Sequence, residues 1–113
     1  MIQRYDTTPR LSKVLVANGF AFLSGLTAKD KTGSVREQTA DILKQVTHYL
    51  NLANTDKTRL VKVNIWLKDM SMFEEMNAAW DAWIDPAALP ARATVQSTLG
   101  DGTLVEIMAQ AVV

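Results

Sequence analysis

Arg92 and Glu106 are the two residues of this 113-residue chain whose types and spacing best suit joint chemistry. They lie within residues 89–113, where polar and apolar residues alternate along two stretches, LPARATVQST and LVEIMAQAVV, joined at LGDGT. Side chains alternate between the two faces of a strand. Arg92, Thr94, Gln96 and Thr98 therefore share one face and Ala93 and Val95 the other. On the second strand Val105, Ile107, Ala109 and Ala111 form an apolar face, with Glu106, Met108 and Gln110 opposite. Read as a β-hairpin turning at Asp101, the segment sets Arg92 against Gln110 and Gln96 against Glu106, with both charged residues on the face away from the core. At about 3.4 Å per residue they stand too far apart for a direct ion pair, leaving room for a small ligand or water. A register slip of one residue would undo this arrangement.

A guanidinium presents a planar fork that matches a carboxylate with two parallel hydrogen bonds, which lysine cannot reproduce. Arg92 is thus a candidate carboxylate anchor, and Glu106 a candidate proton handler and water-orienting group. The plainer reading of both is an ion pair at an interface. His48, the single histidine, falls on the polar side of a helix beside Asp41, Lys44 and Gln45, and reads as solvent-facing. The chain has no cysteine, which removes disulfides, thiol nucleophiles and thiolate metal sites. No metal-ligand cluster and no glycine-rich phosphate loop is visible, so neither metal nor organic cofactor is expected.

The elements that must hold these residues follow from periodicity. Residues 2–5 read as a short edge strand. Asn18-Gly19 between apolar runs marks a hairpin of residues 13–16 and 20–24. The charged stretch 29–33 reads as a solvated loop. Residues 34–54 form a first helix: Ser34 with Glu37 three residues later makes a capping box, and Val35, Thr39, Ile42, Val46, Tyr49, Leu50 and Ala53 make one apolar stripe. Residues 60–67 alternate Val61, Val63, Ile65 and Leu67 against Lys62, Asn64 and Trp66, a further strand. Residues 71–83 form a second helix whose Phe73, Met76, Ala79, Trp80 and Trp83 stripe reads as core packing. Asp85-Pro86 ends it, and Pro90 keeps the chain extended. The order β-β-β-α-β-α-β-β implies one α+β domain over residues 1–113, a mixed sheet with both helices on one face. The other face, with Lys62, Asn64, Trp66, Thr94, Met108 and Val112, is too apolar for water and calls for a partner.

Composition bounds the function class. Hydrophobic residues make up 48% and charged residues 21%, an ordinary soluble globular balance. Twelve basic and twelve acidic residues give zero formal charge, so no global field favours nucleic acid or an anionic membrane. No stretch reaches the eighteen apolar residues of a membrane helix and no signal peptide is visible, so a cytoplasmic protein is expected.

Pro90-Ala91-Arg92-Ala93-Thr94-Val95, followed by Leu104-Val105-Glu106-Ile107, resembles the signature of the reactive-intermediate (enamine/imine) deaminase family, the RidA or YjgF-like proteins. Phe22-Leu23-Ser24-Gly25, residues 61–69, and residues 73–80 with Asn77 agree with the same pattern. The resemblance implies a chorismate-mutase-like homotrimer with a site at each subunit boundary. It implies Arg92 and Glu106 as catalytic residues, with Arg92, Ser24, Gly25, Thr94 and Asn77 binding an imino or keto acid. The implied reaction is hydrolysis of 2-enamine or 2-imino acids, such as 2-aminoacrylate, to 2-keto acids and ammonia, without a cofactor. The alternative is a trimer that binds 2-keto acids without catalysis. RNA cleavage, attributed to some relatives, is disfavoured by the neutral charge and the lack of a basic, aromatic-laced groove. The chain departs from the pattern at Leu11, where the family has tyrosine, at Thr94, where the best-known members have cysteine, and at Met108, often a second glutamate.

Overall fold

Asn18 and Gly19 both take positive φ, 52° and 81°, the two-residue turn that an Asn-Gly pair favours. They join β2 (Ser12–Ala17) to β3 (Phe20–Leu23) in the computed structural model, which describes residues 1–113. β1 (Gln3–Thr7) pairs with the outer side of β2 and forms one edge of the sheet. A two-residue strand, β4 (Leu26–Thr27), follows. The next elements are α1 (Val35–Leu52), β5 (Leu60–Leu67), α2 (Phe73–Trp83), β6 (Ala91–Gln96) and β7 (Val105–Val112). The α+β reading holds, with β4 added to the expected order. The strands form one sheet in the order β1-β2-β3-β7-β5-β6, with β4 beside β7.

The expected hairpin of the last two strands does not form. β5, α2 and β6 make a crossover unit, and its helix returns the chain so that β6 runs parallel to β5. β7 pairs antiparallel with the other side of β5. β5 therefore lies between the two strands, and residues 97–104 cross its end. Hydrogen bonds from Ser97 N to the Leu67 carbonyl and from Lys68 N to the Leu104 carbonyl, each 2.9 Å, fasten that crossing.

α1 starts as its sequence dictates. Ser34 Oγ accepts from Glu37 N at 3.1 Å, and Ser34 N donates to Glu37 Oε1 at 2.9 Å. It ends where Asn54 turns left-handed at φ 59°. All seven residues of its apolar stripe are buried. The second helix begins later than residue 71, because Asp69 Oδ1 accepts from Ser71 N and Met70–Met72 wind into a 3-10 turn first. Val61 also departs from expectation: a bulge between Leu60 and Lys62 turns it outward to 37% exposure and puts Leu60 in the core instead. The 23 residues of the hydrophobic core form one cluster between the helices and one face of the sheet. The other face carries Phe22, Met108, Val95 and Val112, all exposed, and the protomer is only 19 Å along its shortest axis.

Gln38, which periodicity left unremarked, is 1% exposed and ties two loops together. Its amide donates to the carbonyls of Gly102 (3.0 Å) and Gly33 (3.2 Å), and its Oε1 accepts from Leu104 N at 3.0 Å. This fixes the start of β7, two residues before Glu106. Gln38→Leu removes the partner of three part-buried backbone groups, at about 1–3 kcal/mol for each one left unsatisfied. The expected loss is about 3 kcal/mol in denaturant unfolding; a loss below about 1 kcal/mol would show that water replaces the amide.

Candidate active site

Strand pairing decides which way each candidate points. Arg92 is aligned with Val63, and Val63 with Ala109; Val63 and Ala109 are buried under the helices. Glu106 is aligned with Trp66, three positions along β5 and therefore on the opposite face. The expected sharing of one face by Arg92 and Glu106 is thus overturned. Across the intervening β5, Arg92 falls level with Ala109 rather than Gln110, and that single step reverses the face. The faces of β6 are reversed with it: Arg92 and Thr94 point to the helix side, while Ala93 and Val95 lie on the open face, Val95 at 51% exposure. β6 lies at the edge of the sheet, where the helix layer gives way to a cleft, so its inward positions need not be apolar.

On the helix side, Arg92 extends over the ring of Trp80, its guanidinium carbon 5.0 Å from the ring centroid, a cation–π geometry. Burial lowers its pKa and the charge of Asp81 raises it; the guanidinium stays charged. Trp80 is 6% exposed, so it packs in the core as expected and also forms the platform under Arg92, a role its stripe did not reveal. The cleft here has a volume of about 530 Å³. Asn77 lines it with Arg92, and so do Glu74 and Asp81, which had not been singled out. Their spacing from Asn77 was the available signal: positions 74, 77 and 81 fall on one helical face. Thr94 lies two residues beyond Arg92 on the same side. Its hydroxyl is buried without a hydrogen-bond partner, and it does not line the cleft.

On the open face, Glu106 lies across Gly25. A Cβ at Gly25 would stand 2.3 Å from Glu106 Oε2 and 3.2 Å from its Cδ. A side chain at this position would therefore push the Glu106 carboxylate aside. Thr27 is the cross-strand partner of Glu106, and Lys31 folds back from its loop to donate to Thr27 Oγ1 at 2.7 Å. Ser24 Oγ donates to the Ser12 carbonyl at 2.6 Å, a backbone-satisfying role that leaves its lone pairs free. Leu11 sits exposed at the β1–β2 turn next to Ser12, and Met108 is exposed beside Asn64.

The candidate residues thus form two groups on opposite faces: Arg92, Asn77 and Thr94 on the helix side, and Glu106, Gly25 and Ser24 on the open side. His48 is exposed with its ring edge-on to Tyr49. No group of three or more His, Cys, Asp or Glu side chains is drawn together that could hold a metal, and no helix is long and apolar enough to cross a membrane.

Because only the flexible end of Glu106 meets the added methyl, Gly25→Ala displaces that carboxylate rather than the backbone. Unfolding free energy is expected to change by less than about 1 kcal/mol, as for substitutions away from core packing. Any activity that depends on Glu106 falls with it, to the level of Glu106→Gln. Full activity in Gly25→Ala would show that the carboxylate position is immaterial.

Comparison with known proteins agrees with this architecture. The family model described as Endoribonuclease L-PSP matches residues 1–113. A RutC family protein of Haemophilus ducreyi is 37% identical over 101 residues, covering 89% of this chain and 86% of its own. The chloroplastic Reactive Intermediate Deaminase A of Arabidopsis thaliana is 34% identical over 91 residues, covering 75% of this chain and 48% of its own. The crystal structure of a YjgF family member from Neisseria meningitidis superposes with a TM-score of 0.95 at 40% identity, covering 99% of this chain and 94% of the other. With a family model matched from end to end and relatives of this similarity, the chain belongs to the YjgF/RutC family, whose model bears the Endoribonuclease L-PSP description.

Proposed function

We propose that this protein is a cofactor-independent deaminase of 2-imino acids that works as a homotrimer, with each active site built from two protomers. The observation that carries the reading is the separation of Arg92 and Glu106 onto opposite faces of one sheet. Neither group can complete the other within a chain. A head-to-tail contact, the cleft edge of one protomer against the open face of the next, brings the two groups together and closes into a ring. The exposed apolar side chains of the open face support such a contact, and the family resemblance favours three protomers in the ring.

In this site the Arg92 fork holds the substrate carboxylate, its orientation fixed by the Trp80 ring. Glu106 of the adjoining protomer orients a water and takes its proton as the oxygen adds to the imine carbon. Glu106 returns that proton to the nitrogen, giving a 2-amino-2-hydroxy acid. It then takes the hydroxyl proton and passes it to the same nitrogen as the carbon–nitrogen bond breaks and the carbonyl forms, releasing ammonia and a 2-keto acid. An enamine enters after tautomerising to the imine. Such substrates also hydrolyse in water, so positioning and modest proton transfer suffice. The name of the Arabidopsis relative, Reactive Intermediate Deaminase A, favours the same reaction.

A second reading is favoured by one feature. The Arg92 cleft with Asn77 and Trp80 lies within a single protomer, and Glu106 is not among its lining residues. A protein that only binds 2-keto acids would keep the cleft and lack the reaction.

The test generates 2-aminoacrylate and follows pyruvate. Wild type is expected to outpace spontaneous hydrolysis. Arg92→Ala, losing a charge-assisted bond of about 1.5–3 kcal/mol, lowers kcat/KM by about 10- to 100-fold. Glu106→Gln lowers kcat by about 100-fold, the scale of general acid–base help. A wild type no faster than buffer would end the enzyme reading, and titration with pyruvate would then decide the second.

A further inference from the structure

The cleft that holds Arg92 carries more charge than a carboxylate anchor requires. Its wall contains one cation, Arg92, and two carboxylates, Glu74 and Asp81. Both acids are exposed, and a ligand whose only charge is the carboxylate held by Arg92 meets them as like charge. Asp81 is the charge that acts on Arg92, so the two acids are not equivalent. Glu74 lies seven residues before Asp81 on α2, about 10 Å along the helix at 1.5 Å per residue. Trp80, Ile84 and Leu89 supply apolar wall in the same cleft, and Leu89 is 65% exposed, a large apolar side chain left in water. The volume of about 530 Å³ falls in the range of sites for ligands well above three carbons in size.

We infer that the preferred substrates are 2-imino acids with a long cationic side chain: a carboxylate for Arg92, an aliphatic stem for the apolar wall and a terminal guanidinium or ammonium for Glu74. This inference rests on the deaminase reading and names its substrate class. Asp81 sets the balance of charge. With it, the cleft is net negative by one, which opposes small anions and attracts a ligand that brings its own cation. The reaction is the hydrolysis already written, with the side chain unchanged from imino acid to keto acid.

The experiment compares imino acids generated in situ by an amino acid oxidase from arginine and from norleucine, which matches its stem without the charge. Wild type is expected to favour the arginine-derived imine at least fivefold in kcat/KM. Glu74→Gln lowers that ratio about three- to fivefold and Asp81→Asn by a similar factor, the scale of partly exposed ion pairs. Both losses shrink as salt rises. Equal or reversed preference in wild type, or a ratio unmoved by either variant, overturns the inference and leaves the deaminase reading standing. A change in sedimentation by Glu74→Gln with an unmoved ratio overturns it too, assigning Glu74 to an interface. If neither imine is consumed faster than in buffer, the deaminase reading fails. Calorimetric titration with 5-guanidino-2-oxopentanoate against 2-oxohexanoate then reads the ligand class alone. Tighter binding of the guanidino acid upholds it; equal or weaker binding overturns it.

Discussion

The two-residue period of the β-strand separates the guanidinium of Arg92 from the carboxylate of Glu106. Arg92 shares a row with Val63 and Glu106 shares one with Trp66, and rows three apart face opposite ways. No rotamer can carry either side chain through a hydrogen-bonded sheet. Each group is nevertheless prepared where it stands. The Trp80 ring supports Arg92 from below, leaving its donors for a planar anion, and the missing side chain at Gly25 gives Glu106 its place. Elements far apart in sequence hold these positions: Gln38 of α1 pins the entry to β7, and the α2 crossover fixes β6 beside β5.

The same geometry explains a sheet finished on one side only. The helices bury one face in a single core, while Phe22, Met108, Val95 and Val112 remain in water on the other. Burying apolar area is worth roughly 25 cal/mol per Å², so an open apolar face favours association. A contact that covers this face with the cleft edge of a neighbour would bury the apolar side chains and unite the two groups of site residues. Stability and catalysis would then depend on one interface.

Much of the fold could be read from local chemistry. The Asn18-Gly19 turn, the Ser34–Glu37 capping box and the stripe from Val35 to Ala53 each specify their own geometry within a few residues. The neighbours of β6 could not be read in this way. Alternation on two strands joined by a glycine-containing loop reports their faces and opposed directions, yet does not exclude a third strand between them. β5 occupies that place because the crossover through α2 demands a parallel neighbour, a constraint set by elements thirty residues upstream. The one-step difference in alignment then reversed the side on which Arg92 lies. Glu74 and Asp81 were missed because acids on an exposed helix resemble a solvated face, and only the tertiary placement of α2 beside β6 turns that face into a wall of the cleft. Gln38 was missed because its carboxamide is satisfied by two loops that meet only in the folded chain.

Mixed oligomers test the two-protomer site most directly. Arg92→Ala and Glu106→Gln, each lowered at least about tenfold by itself, are unfolded together, refolded as a one-to-one mixture and assayed for imine hydrolysis. With Arg92 and Glu106 drawn from different chains, random mixing restores both intact groups at about a quarter of the boundaries of a symmetric ring, and about a quarter of wild-type activity returns. A mixture no more active than the average of its two components, with mixed assembly demonstrated, would place both residues in the same chain's site and contradict this account.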